Sequence, residues 1–108
     1  AVVIASAAPT HAALIEKAVA AGVPTLCEKP IALSVKDSAE VVHRVADSGV
    51  PVHIGYNRRF DPAMAAARAS VAAGDLGFIT TARSTTLDPA PPPRDYIAAS
   101  GGIFRDCA

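Results

Sequence analysis

Cysteine is scarce in this sequence. Cys27 and Cys107 stand far apart and form no metal-ligand spacing, so neither a disulfide framework nor a cysteine-based metal site is indicated. A reduced, cytoplasmic protein is the simpler expectation. Excess charge of one sign is also absent, with ten basic residues balanced by ten acidic ones. Nothing therefore advertises a nucleic-acid or anionic-membrane partner. No apolar run is long enough to span a bilayer, and the first residues lack the charged region and layout of a signal peptide. An initiator methionine is missing too. The opening Ala1-Val2-Val3-Ile4-Ala5 reads as a strand already under way, and Asp106-Cys107-Ala108 gives no stop signal. Both ends suggest a piece of something larger.

The composition is that of a folded chain. It is 51% hydrophobic and 19% charged, globular rather than disordered. Much of the apolar share is alanine, which buries little area per residue, so the core is expected to be modest for 108 residues.

Periodicity divides the chain into two parts. Val2 to Ala5 is a β-branched run, as in a strand buried on both faces. Pro9-Thr10 opens a helix from about His11 to Ala21 with Ala12, Leu14, Ile15, Ala18 and Val19 inward, ended by Gly22. Thr25 to Cys27 is a second strand. Ser34, with Asp37 three residues on, caps a helix to about Ser48 with Val35, Ala39, Val42, Val45 and Ala46 inward. Gly49 ends it, and Val50 to Ile54 is a third strand. Strand–helix alternation of this kind predicts a parallel α/β sheet with right-handed crossovers.

After Asn57 to Asp61, where a domain boundary is expected, the pattern changes. Asp61-Pro62 starts an alanine-rich helix to about Ala73. Phe78 to Thr86 alternates like a strand of a half-exposed sheet. Asp88 to Pro93 is a rigid proline-rich connection, Arg94 to Ala99 a turn of helix, and Ser100-Gly101-Gly102 a hinge.

Three strand ends carry the chemistry-bearing residues, and open α/β sheets bind ligands beyond the carboxyl ends of their strands. The first is Ala5-Ser6-Ala7-Ala8-Pro9-Thr10-His11. Its small residues admit a ligand to the backbone, and a helix N-terminus offers free N–H groups; an ordinary turn capped by Thr10 explains the same residues. The second is Glu28-Lys29-Pro30. Either Lys29 orients a substrate hydroxyl and a cofactor ribose with Glu28 holding it, or the two make an exposed ion pair worth little. The third is Gly55-Tyr56-Asn57-Arg58-Arg59-Phe60, either a wall of the same crevice or a linker with surface arginines. Asp106 alone is uninterpretable, His43 and His53 look structural, and Cys27 reads as a small core residue.

Taken together, Ala8-Pro9-Thr10-His11, Cys27-Glu28-Lys29-Pro30-Ile31-Ala32, Gly55 to Asp61 and Gly101 to Asp106 resemble the glucose–fructose oxidoreductase / inositol 2-dehydrogenase family over nearly the whole chain. Ser100 to Asp106 is most similar to bacterial inositol 2-dehydrogenases. The resemblance implies that residues 1–58 are the C-terminal half of a Rossmann-type NAD(P)-binding domain. Residues 59–108 then begin an α+β domain with a mostly antiparallel sheet. It implies an NAD cofactor, with NADP open, oxidation of a secondary hydroxyl on a cyclitol or sugar, no metal, and a homo-oligomeric parent enzyme. It also makes Lys29 the active-site lysine and Asp106 the acid that partners a catalytic histidine one helical turn later. Ser6, Pro9, Thr10, His11, Glu28, Lys29 and Asn57 then line the cofactor, and Arg58 and Asp88 approach the substrate.

That histidine, four residues after Asp106, is not in the sequence. Nor is a strand–Gly-x-Gly-x-x-Gly–helix unit, so NAD and NADP are not distinguished and the 108 residues alone are expected to be inactive. A sugar or deoxysugar dehydrogenase, a non-catalytic binding relative and a truncated product without a stable fold are the rival readings.

Overall fold

The computed structural model describes residues 1–87 and 89–100, with Ala98 and Ala99 described in backbone only. The chain divides into two compact units, one of Ala1–Gly55 with the segment that begins at Pro92, the other Tyr56–Pro91.

In the first unit, β1 (Val2–Ile4), β2 (Thr25–Cys27) and β3 (Val52–Ile54) form a parallel sheet in the order β1-β2-β3. Parallel neighbours need a long crossover, and here each crossover is a helix: α1 (His11–Ala20) and α2 (Val35–Ser48). The register aligns Ile4 with Cys27 and Cys27 with Ile54. That row, together with Ile15 of α1 and Val41 of α2, makes the core.

The expected double burial of β1 does not hold. Val3 is 68% and Leu26 47% exposed, because side chains alternate along a strand and the core helices cover only the face carrying Ile4 and Cys27. Packing also chose a different face of α2. Val41 is buried and Val45 half-buried, whereas Val35, Ala39, Val42 and Ala46 are exposed. Two valine rows compete on this helix, and the one beside Ile15 and Val19 of α1 joins the core.

Local signals set the helix ends. The Ser34 Oγ accepts from the Asp37 N–H at 3.0 Å, and Gly49 closes α2 at φ 68°, a conformation that side chains disfavour. Thr10 does not cap α1. A 3-10 turn, Ala8–Thr10, precedes that helix, and the Thr10 hydroxyl donates to the Ala7 carbonyl at 2.8 Å instead.

The second unit holds a 3-10 turn (Asn57–Phe60) and α3 (Pro62–Ala73), whose N–H groups at Ala63 and Met64 donate to Asp61 Oδ1. The strand expected from Phe78 to Thr86 is not formed, and these residues are exposed. An alternating pattern becomes a strand only with a partner to pair with, and no antiparallel pairing occurs among the described residues. The segment from Pro92 contributes α4 (Arg94–Ser100). No described helix is long and apolar enough to cross a membrane.

Candidate functional site

Because the three strands end on one aligned row, their loops leave the sheet at the same edge. The ladder runs one step further, with the Glu28 N–H donating to Ile4 O at 2.9 Å and the Gly55 N–H to Cys27 O at 2.8 Å. Glu28 and Gly55 are therefore fixed by backbone bonding just beyond adjacent strand ends, and Ser6 lies two residues past the end of β1. This is the edge at which α/β sheets place ligands.

Lys29 is exposed and follows the last bonded residue of β2; its peptide bond to Pro30 is cis. Glu28 is exposed as well, and its carboxylate lies over the Gly55 backbone. A Cβ at position 55 would meet Glu28 Cδ, Oε1 and Oε2 at 3.2 Å each. The close approach at Gly55 is thus made by a neighbouring loop's acid.

Ser6, Pro9 and Thr10 are exposed, and Ser6 Oγ and Thr10 Oγ1 share a 2.6 Å hydrogen bond across the turn. His11 is turned inward. Its ring is 1% exposed, with Nδ1 2.7 Å from Pro30 O and Nε2 3.0 Å from Ser6 O. A neutral imidazole has one N–H and donates to one of these carbonyls; an imidazolium donates to both. The sequence held a sign of this placement. His11 stands four residues before Ile15, so extending the buried stripe of α1 back by one turn lands on it.

Asn57 and Arg58 are exposed in the 3-10 turn of the second unit. Asp88 and Asp106 lie outside the described residues. The first unit also carries a hollow of about 420 Å³ along the outer edge of β1, walled by Val3, Leu14, Ala18 and Val23 and reaching Ser6. A second hollow, of about 320 Å³, lies between α1 and α2.

Cys27 is fully buried, and its thiol donates to Glu28 O at 3.3 Å. Burial first, and the Glu28 charge second, push this thiol up from its ordinary value. Less thiolate at a given pH means a weaker nucleophile. Site-resolved alkylation between pH 7 and 9 is expected to run about tenfold or more slower than for a free thiol. Labelling at the free-thiol rate would contradict this.

Residues 1–56 match the model of an oxidoreductase family with an NAD-binding Rossmann fold. An inositol 2-dehydrogenase of Rhizobium meliloti is 43% identical over 98% of this chain and 32% of its own length. A scyllo-inositol 2-dehydrogenase (NAD(+)) of Bacillus subtilis is 39% identical over 100% of this chain and 32% of its own. The crystal structure of a myo-inositol dehydrogenase from Corynebacterium glutamicum superposes with a TM-score of 0.75 at 44% identity, over 97% of this chain and 32% of that one. The chain thus spans about a third of the length of the curated relatives it matches. The Rossmann-type sheet, the family model and the identity level agree: the chain belongs to the glucose–fructose oxidoreductase / inositol 2-dehydrogenase (Gfo/Idh/MocA) family.

Proposed function

We propose that this chain is part of an NAD(P)-dependent dehydrogenase that oxidises a secondary hydroxyl of a cyclitol such as myo-inositol to the ketone. The observation that carries the reading is the shared carboxyl edge, where Ser6, Glu28, Lys29 and Gly55 come together, in a chain 39–43% identical to proteins named for that activity. The edge suits the nicotinamide and ribose end of a dinucleotide. Exposed Ser6 and Thr10 hydroxyls and an exposed Lys29 leave polar groups for it. No glycine-rich phosphate turn is in the sequence, so the reading assigns these residues to one end of the cofactor only.

When bound, the nicotinamide accepts hydride. Lys29 orients the reacting hydroxyl and supports loss of its proton, and Glu28 holds the lysine's loop. Asp106 supports the base, and Arg58 and Asp88 hold the remaining hydroxyls. Residues 1–58 form the cofactor side and 59–108 the start of the substrate side. The complete protein is read as a cytoplasmic homo-oligomer.

The test is a panel of polyols assayed with the full-length enzyme, with NAD and NADP in parallel. The expected result is kcat/KM for myo- or scyllo-inositol about tenfold or more above that for glucose, a difference of about 1.4 kcal/mol in transition-state binding. Preference for a sugar would move the assignment to a sugar dehydrogenase. No reduction of either dinucleotide would leave a non-catalytic relative.

A further inference from the structure

A buried imidazole is costly unless its nitrogens are hydrogen-bonded, and an apolar side chain would fill the same space without that demand. At position 11 both nitrogens lie within hydrogen-bond distance of carbonyl oxygens, which only accept, so a ring with one N–H bonds one of them and a ring with two bonds both. The partners are informative. Ser6 O belongs to the loop after β1, and Pro30 O to the loop after β2, one residue beyond Lys29. One ring at the start of α1 thus spans two loops at the ligand edge, and its fixed width sets the distance between their carbonyls.

We propose that His11 is a positioning residue. It staples the Lys29–Pro30 turn to the Ser6 turn and thereby fixes the point from which Lys29 reaches the site. It acts through the two carbonyls rather than by touching cofactor or substrate, because both ring nitrogens are turned inward. That Lys29 is the residue of consequence rests on the dehydrogenase reading; the staple itself does not.

The first measurement needs no variant. In the nitrogen-15-labelled chain, a ring N–H proton of His11 should be visible and protected from exchange with water. A freely exchanging ring would overturn the proposal. The second compares amide exchange in His11→Leu and His11→Gln with wild type. In His11→Leu, amides at Ala7, Lys29 and Ile31 should exchange about tenfold or more faster, while those at Ile15 and Val41 stay within about twofold, since opening is local. His11→Gln, which keeps a donor, should recover part of the protection. An equal rise everywhere would make His11 an ordinary core residue, and unchanged loops would remove the staple. If His11→Leu fails to fold, His11→Gln and the wild-type ring proton decide. In the full-length enzyme, His11→Gln should lower kcat with little change in the dinucleotide KM. If the loops loosen but Lys29→Ala leaves turnover intact, the staple stands and the role given to Lys29 falls; if the loops loosen but the full-length enzyme reduces neither dinucleotide, the staple stands and the dehydrogenase reading falls.

Discussion

Replacing Lys29 with alanine in the full-length enzyme is expected to lower turnover on a cyclitol by roughly 10²- to 10⁴-fold, the usual range for removing a group that assists proton transfer. The substrate KM should change far less, because the lysine's contribution grows as the hydroxyl loses its proton. The position of the residue supports this. Backbone bonding continues from β2 through Glu28, so Lys29 springs from a fixed point, and its side chain is exposed. Lys29→Arg should not restore activity, since a planar, permanently charged fork differs from an ammonium in both reach and proton affinity. Steady-state kinetics on the three proteins checks the prediction. Turnover of Lys29→Ala within threefold of wild type would remove the lysine from the mechanism.

The second large effect concerns stability. Ile15 is fully buried and belongs to the core cluster with Ile4, Cys27 and Val41. Truncation to alanine removes three carbons from the place where α1 meets both the sheet and α2. The expected loss is about 2–5 kcal/mol, against about 5–15 kcal/mol for an ordinary domain. At about 4–8 °C per kcal/mol for a domain this small, the midpoint of a thermal melt should fall by about 10 °C or more. Val42→Ala, on the outward row of the neighbouring helix and 51% exposed, should move it by only a small fraction of that. Equal shifts for the two variants would show that the core has been assigned to the wrong face of α2.

Much of this architecture could be read from residue types. Runs such as Val2-Val3-Ile4 and Thr25-Leu26-Cys27 have few alternatives to a strand, and Ser34, Gly49, Asp61-Pro62 and Gly74 mark helix ends by local chemistry. The parts that were not legible depend on neighbours. The face of α2 turned inward is decided by the stripe of Ile15 and Val19, which the sequence of α2 does not contain. The Phe78 to Thr86 pattern meets the local requirements of a strand but finds no partner among the described residues. At the candidate site, the motifs located Ser6, Glu28, Lys29 and Gly55 at strand ends, and the parallel register brings those ends to one edge. The orientation of His11 was missed because a histidine beside a site is usually counted as a ligand contact. Its four-residue spacing from Ile15 was the overlooked signal. The proximity of Glu28 to Gly55 crosses two strands and has no local signature.

The common row of Ile4, Cys27 and Ile54 ties the site to folding fidelity. If β2 slid by one residue against its neighbours, Leu26 would take the place of Cys27 in the core and Cys27 would face solvent. The same slip would carry Lys29 about 3.3 Å along the sheet, one strand step, and separate the Pro30 carbonyl from His11. A misregistered chain would therefore lose packing and the geometry of the candidate site in one event. Partitioning of oily and polar side chains during folding acts as a proofreading step for the height of the lysine, without any residue dedicated to that task.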